Sequence, residues 1–215
     1  MKIILTVLFC LCVLVGCGES KKEKAAPEAK KPEAVPVVTV TIDNPIVEKA
    51  VRKQLRKPTG ELTEADLEKV TRLDIEGNQL TDVPKDLEKL TQLEKLNLRS
   101  TKLNSLKGLE KLTQLQELAL GENQLKAVTA LETLTKLETL RLHNNQLTDV
   151  KGLENLTQLK YLDFADNKLT DVKGLENLTQ LKSLKLFDNP DLTKAQIDEL
   201  QKALPNCKIY SDPTK

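Results

Sequence analysis

The chain contains a single histidine, His143, and histidine is the residue type best suited to exchanging protons near neutral pH. Acid–base or nucleophilic catalysis would also require a nucleophile and a group that orients the imidazole. No serine or thiol is reliably spaced for that role. The sequence also lacks a phosphate loop, a Cys/His metal cluster and a paired-carboxylate signature. It therefore predicts no catalytic residue, no metal ligand, no cofactor and no small-molecule substrate.

The charge balance argues against a nucleic-acid partner. The chain has 33 basic and 32 acidic side chains, and loss of Lys2 with the export signal described below would leave 32 of each. Binding to nucleic acid depends on clustered Lys and Arg that neutralise phosphates. A neutral balance gives no support for that class of ligand, so no nucleic-acid partner is expected.

The amino terminus has the features of an export signal. A basic start is followed by residues 3–15, which are mostly apolar and too short to span a bilayer, for which about 20 residues are needed. Leu14-Val15-Gly16-Cys17 resembles the bacterial lipobox, in which the cysteine is acylated and becomes the first mature residue. The pattern predicts a signal peptide over 1–16 and lipidation at Cys17. An ordinary signal peptide with chance cysteines is the alternative.

The residues after Cys17 predict a location and a tether. Gly18 rather than Asp follows the cysteine. By resemblance to lipoprotein sorting in Gram-negative bacteria, this implies the outer membrane of the cell envelope, on its periplasmic or surface face. Residues 17–41 are rich in Lys, Glu, Ala and Pro. They hold too few apolar side chains to offset the entropy of ordering, so a disordered tether is predicted.

A unit of about 22 residues recurs through the rest of the chain, and TDVKGLENLTQLK occurs identically at 148–160 and 170–182. Six strand-like cores are spaced by 23 residues and then four times by 22. They are LDIEGNQL, LNLRSTKL, LALGENQL, LRLHNNQL, LDFADNKL and LKLFDNPDL. A fixed period predicts a stacked array in which each unit contacts only its neighbours.

The cores resemble the leucine-rich repeat pattern L-x-x-L-x-L-x-x-N-x-L, which implies an α/β solenoid of about six repeats over 71–192 with a parallel sheet on its concave face. The short period leaves room only for extended chain or 3₁₀ turns on the convex side. Asparagine amides after each strand are expected to bond backbone groups and link adjacent turns. This ladder comprises Asn78, Asn123, Asn145, Asn167 and Asn189. Thr101 interrupts the ladder, so the link at the second repeat is expected to be the weakest.

Residues 42–70 predict an amino-terminal helical cap. Asn44 precedes Pro45, the proline favoured at the first helical position, and an amphipathic helix should run to about Arg56. Thr63 and Asp66 have capping-box spacing at the start of a second short helix. The segment resembles the helical cap of bacterial internalin-like leucine-rich repeat proteins. Such a cap would cover the apolar end of the stack.

Residues 193–215 predict a carboxy-terminal cap and tail. Thr193 and Gln196 have capping-box spacing before an apolar helical face, and Pro205 stops the helix. Residues 207–210 are expected to form a final edge strand. Cys207 is predicted to be a buried structural thiol, and the mature chain has too few cysteines for a disulfide framework.

Side chains that alternate with the inward leucines should face out from the concave sheet. Aromatic residues and arginine are the usual anchors of protein interfaces, and they concentrate in the later repeats. The predicted binding positions are Arg99, Arg141, His143, Tyr161, Asp163, Lys185 and Phe187. A solvated polar face with a few stray aromatics would give the same pattern.

Resemblance to internalin-like proteins with 22-residue repeats implies a bacterial leucine-rich repeat lipoprotein. The expected function is noncatalytic binding of a protein partner by the concave face of a lipid-anchored envelope protein. A structural or self-associating periplasmic scaffold remains the alternative.

Overall fold

The computed structural model of the protein describes residues 38–212. The predicted signal peptide, the lipidation site Cys17 and most of the predicted tether lie outside this range. Among residues 38–212, no helix combines the length and apolar character that crossing a bilayer requires.

The described chain begins with a short strand and a helix. Strand β1 (Thr39–Val40) precedes helix α1 (Pro45–Leu55). The side chain of Asn44 accepts hydrogen bonds from the N–H groups of Ile46 and Val47 at 2.9 and 3.2 Å. Pro45 fits the first turn because its position needs no amide donor. The predicted N-cap and the approximate end of this helix are confirmed.

Strand β1 corrects the predicted boundary of the tether. It pairs antiparallel with β2 (Leu62–Thr63), which leads into the short helix α2 (Glu64–Leu67). Thr63 and Asp66 exchange the two hydrogen bonds of a capping box, as predicted. The tether was predicted to extend to residue 41, but residues 39–40 are ordered because β2 supplies their backbone partners.

The main sheet has seven parallel strands in sequence order, which confirms the predicted solenoid. Each strand is three residues long and is centred on an inward residue, so the sheet starts one residue before each predicted core. The strands are β3 (Arg72–Asp74), β4 (Lys95–Asn97), β5 (Glu117–Ala119), β6 (Thr139–Arg141), β7 (Tyr161–Asp163), β8 (Ser183–Lys185) and β9 (Lys208–Tyr210). The leucines pair in register from strand to strand, and Ile209 continues the row in β9.

The core is a stack of leucines with few exceptions. Successive turns bury equivalent leucines almost completely, and Phe164 takes the place of one of them at 0% exposure. A buried leucine contributes about 1.5–3 kcal/mol by leaving water. The return side contains four short 3₁₀ turns, as predicted for so short a period. They are Lys85–Lys89, Leu109–Lys111, Thr129–Leu131 and Leu175–Asn177.

Four of the predicted ladder asparagines link adjacent turns. Asn123, Asn145, Asn167 and Asn189 are all at least 91% buried. The amide of Asn145 donates to the carbonyl of Leu120 in the preceding turn and to that of Leu142 in its own, each at 3.0 Å. Its carbonyl accepts from the N–H of Leu125 at 3.0 Å. The other three repeat this arrangement, so each asparagine ties two turns together.

Asn78 does not belong to the ladder, which corrects the prediction. Its amide donates only to Ile75 and Glu76 within its own turn, and the residue is half-buried. It lies in the first repeat, so no earlier repeat exists to supply a partner. Position alone therefore gives this asparagine a different role from its four counterparts.

Thr101 replaces the ladder side chain without leaving it unpaired. It is fully buried, and its hydroxyl donates to the carbonyl of Leu98 at 2.7 Å. In the later repeats the N–H at the equivalent position donates to the side-chain carbonyl of a ladder asparagine. Here the N–H of Leu80 donates instead to the backbone carbonyl of Thr101 at 2.8 Å. Lys102 has φ +66°, a left-handed backbone conformation that the equivalent position of no other described repeat adopts. The link is thus made by backbone rather than by an amide side chain.

Helix α1 packs against β3, and one carboxylate fastens the two regions together. Asp86 accepts a hydrogen bond from the N–H of Asn44 at 2.8 Å and another from Lys89 at 2.7 Å. Burial by itself would raise the pKa of Asp86, but these hydrogen bonds hold it below its usual range. The first repeat is therefore joined to the start of α1 by an ionised, almost buried side chain.

Helix α3 (Lys194–Ala203) follows β8, and β9 then closes the described chain. Thr193 and Gln196 exchange capping-box hydrogen bonds at 2.9 and 3.3 Å, as predicted. Cys207 is buried and has no disulfide partner among residues 38–212, and burial raises the pKa of its thiol to about 11. A thiol so hard to ionise fits the structural role predicted for it.

Candidate protein-binding face

Three outward positions per repeat make up the concave surface. We call the outward side chains of residues 72–121 the proximal face and those of residues 139–210 the distal face. The proximal face is made of Arg72, Asp74, Glu76, Lys95, Asn97, Arg99, Glu117, Ala119 and Gly121. The distal face is made of Thr139, Arg141, His143, Tyr161, Asp163, Ala165, Ser183, Lys185, Phe187, Lys208 and Tyr210.

Most charged side chains of the proximal face bind one another. Lys95 forms an ion pair with Glu117 on the neighbouring strand. The amide of Asn97 donates to Asp74 at 3.1 Å and to Glu76 at 2.9 Å. These are cross-strand pairs, the arrangement by which facing side chains stabilise a sheet.

Arg99 is also committed within the molecule. Its guanidinium binds Glu122 and lies 4.0 Å from Glu76. A hydrogen bond from Ser100 and this guanidinium together lower the pKa of Glu122. Arg99 was a predicted binding residue, but a partner would have to displace these carboxylates to use it.

His143 lies over a glycine at the boundary between the two faces. A Cβ atom placed on Gly121 would approach Nδ1 of His143 to 2.8 Å, so only glycine leaves room for the ring. Nδ1 is buried and has no hydrogen-bond partner among the described residues. The ring is therefore packed closely over Gly121 at this boundary.

Arg141, Tyr161, Asp163 and Lys185 come together around a shallow depression of about 320 Å³. Asp163 accepts hydrogen bonds from Lys185 and from the N–H of Ala165, both at 3.1 Å. Arg141 is exposed and has no ion-pair or hydrogen-bond partner for its guanidinium in residues 38–212. Tyr161 is 50% exposed. Two of the four predicted residues are thus unpaired.

Phe187 belongs to a separate aromatic pair at the far end of the sheet. Its ring centroid lies 6.0 Å from that of Tyr210, and Phe187 remains 37% exposed. The Nζ atom of Lys208 lies 4.7 Å from the Tyr210 ring centroid, within range of a cation–π contact. Tyr210 was not among the predicted binding residues. The register of β9 would have revealed it, because Tyr210 occupies the outward position next to Lys185.

The described residues offer no arrangement for metal binding. No group of three or more His, Cys, Asp or Glu side chains within residues 38–212 is placed to hold a metal ion. The chemistry on the concave surface is that of recognition: a free guanidinium, exposed aromatic rings and a few hydrogen-bonding groups.

Comparison with solved structures places this fold among bacterial repeat proteins. An internalin of Listeria monocytogenes, InlF, superposes with a TM-score of 0.61 at 24% identity over 80% of the chain. A leucine-rich repeat protein of Leptospira interrogans gives 0.62 at 30% identity over 67%, and the functional domain of Listeria InlJ gives 0.65 at 28% over 77%. The chain spans 57%, 38% and 36% of these structures, respectively. No curated protein sequence matches the chain.

Family models give the assignment. A leucine-rich repeat model that contains two repeat copies matches residues 113–155 and 157–206, and a second leucine-rich repeat model matches residues 68–125. Together the matched residues make up more than half of the chain. Leucine-rich repeats build extended concave surfaces that bind other molecules, and neither model describes a catalytic domain. The protein therefore belongs to the leucine-rich repeat family.

Proposed function

We propose that the protein is a noncatalytic, lipid-anchored component of the bacterial cell envelope that binds a protein partner through its distal face. The outer membrane is the proposed location, with acylation at Cys17 as the anchor. The observation that carries the binding proposal is Arg141, which is exposed and unpaired beside the exposed ring of Tyr161. Tyr and Arg are enriched among the residues that dominate interface energies.

The proximal face supports this choice by contrast. Its ion pairs must be broken or left incomplete before a partner can use their charges, and that cost reduces the gain from new contacts. Arg141 and Tyr161 carry no such cost. Membership of the leucine-rich repeat family supports a binding role in general.

The binding proposal is tested by capture from envelope extracts with two matched variants. The distal variant carries alanine at Arg141, His143, Tyr161 and Phe187. The proximal control carries alanine at Arg72, Asp74, Lys95 and Asn97. The distal variant should lose a partner that the wild type and the proximal control both retain. Equal capture by all three, or capture of the protein's own copies alone, would instead favour a self-associating scaffold.

The anchor is tested separately by labelling cells with a fatty acid. Wild-type protein should carry label, and Cys17→Ala should not. Equal label on both proteins would exclude acylation at this cysteine. Protease treatment of intact cells then assigns the repeats to the surface or to the periplasm, because only surface-exposed repeats are cleaved.

A further inference from the structure

The outward face of helix α1 carries a basic stripe. Lys49, Arg52 and Lys53 lie at helical spacing on one side of the helix, and Arg56, the residue that caps its carboxy-terminal end, lines the same depression. Val47 and Val51 on the opposite side are fully buried. Residues 45–60 contain five basic side chains and one acidic side chain. This segment is therefore strongly cationic in a chain whose total charge is close to zero.

Three of these cations have no partner among residues 38–212. Arg52 binds Glu48 at 2.9 Å and the carbonyl of Gly60 at 3.0 Å, so it is committed. Lys49, Lys53 and Arg56 are exposed, and their side chains make no ion pair or hydrogen bond in the described part of the chain. They span two turns of helix, about 10 Å along its axis. A flat surface that carries several negative charges can contact all three.

Helix α1 lies near the point where the chain enters the solenoid, and this position indicates which negatively charged surface it contacts. The carbonyl of Val38, the first described residue, accepts a hydrogen bond from the N–H of Glu64 at the start of α2. The chain therefore enters at the end of the solenoid that holds α1. Only residues 18–37 separate this point from Cys17, a distance of about 70 Å at most when fully extended. A bilayer that holds Cys17 stays within reach of this end.

We propose that the Lys49–Lys53–Arg56 face of α1 docks on the anionic phospholipid headgroups of the bilayer. This inference rests on the proposed membrane location and adds an orientation to it. Strand β9 lies six strand spacings from β3, about 29 Å away, so the aromatic pair of the distal face would point away from the membrane. Each cation close to an anionic bilayer raises partitioning about fivefold. Three cations together give an increase on the order of 100-fold at low ionic strength.

Vesicle sedimentation tests the proposal. The full chain carries Cys17→Ser, so that no acyl chain contributes, and is mixed with phosphatidylcholine vesicles with or without phosphatidylglycerol. The apolar residues 3–15 are present in every sample, so the measured quantity is the preference for anionic over neutral vesicles. The wild type should prefer phosphatidylglycerol by about 100-fold. The variant Lys49→Gln/Lys53→Gln/Arg56→Gln should lose most of that preference.

A charge-matched control separates this face from net charge. Lys107, Lys151 and Lys173 are exposed on the return side of three repeats. Their replacement by Gln removes the same three charges and should leave the preference intact. Equal loss in both triple variants, or a wild type without preference for anionic vesicles, overturns the proposal. Thermal melts establish that each variant is folded, and Lys53→Gln alone should give an intermediate loss. If fatty-acid labelling fails, the proposed anchor at Cys17 is wrong. The vesicle measurement is unaffected, because the chain used in it carries Cys17→Ser.

Discussion

The first two repeats and the last four differ both in the links between their turns and in their outward side chains. In the first two, Asn78 bonds only within its own turn and Thr101 stands where an asparagine is expected. Apart from Arg72, their outward charged side chains also bind neighbouring side chains. From Asn123 onward every turn has the same amide link, and Arg141 and Tyr161 remain free.

The contrast shows where recognition is least costly. Binding energy is reduced by any internal contact that must be broken and by any group that must be ordered. The distal face has unpaired anchors on strands that the asparagine ladder holds in a fixed register. The proximal face has irregular links in its first two repeats, and most of its charged side chains are already engaged with neighbouring side chains. Regular backbone and unengaged side chains therefore occur together in the later repeats.

The largest expected effect comes from the ladder. Asn145→Ala removes an amide that serves Leu120, Leu125 and Leu142. It leaves the buried N–H of Leu125 unpaired, whereas the two carbonyls keep the amides of Asn123 and Asn167. It should lower the free energy of unfolding by about 2–4 kcal/mol, of which about 1–3 kcal/mol comes from the unsatisfied N–H of Leu125 and about 1 kcal/mol from the other lost hydrogen bonds. Asn78→Ala, which breaks no link between turns, should cost about 1 kcal/mol or less. Urea unfolding followed by circular dichroism measures both.

Equal losses in these two variants would mean that the ladder does not distinguish the two regions. Asn145→Thr provides a finer test, because Thr101 shows that a hydroxyl can satisfy the carbonyl of its own turn. It should be more stable than Asn145→Ala and less stable than the wild type. If Asn145→Thr loses as much stability as Asn145→Ala, the hydroxyl by itself does not replace the amide. The backbone of the second repeat, with Lys102 at φ +66°, would then be what makes Thr101 acceptable.

Periodicity predicted the sheet because the leucines alternate along each repeat core. In a short strand, alternate side chains point to the same side, so this arrangement buries them together. It also predicted the linking role of four asparagines, whose environment is the same in every turn. It failed for Asn78, because the partner must come from an earlier turn and none exists. It missed β1 and Tyr210 for a related reason. Each depends on a strand outside the repeat pattern: β1 pairs with β2, and Tyr210 lies on β9.

The boundary between the two faces provides the next test. Gly121→Ala places a methyl group against the ring of His143, which must move or strain the sheet. The expected cost is about 1–3 kcal/mol, typical of overpacking. His143→Ala removes the ring, so the double variant should recover most of that loss. The same urea unfolding experiment measures the recovery.

If Gly121→Ala remains as destabilising without the imidazole, another contact is responsible. Gly121 does not have a left-handed backbone, so the substitution tests space rather than backbone strain. Recovery in the double variant would show that His143 and Gly121 form one packing unit. A change in His143 would then alter the edge of the distal face through packing.

The smallest expected effect concerns the surface charges that define the comparison. A double-mutant cycle on Lys95 and Glu117 should give a coupling of about 0.2–1 kcal/mol, as for other exposed ion pairs. In 1 M NaCl the screening length falls to about 3 Å, so the coupling should shrink. Arg141→Ala should change stability by no more than about 0.5 kcal/mol at either salt concentration, because its guanidinium has no internal partner to lose. A salt-sensitive loss of stability in Arg141→Ala would show that this charge is already engaged, and the distal face would then resemble the proximal one. If Arg141→Ala causes no loss of stability, the guanidinium makes no internal contact that a partner would have to replace.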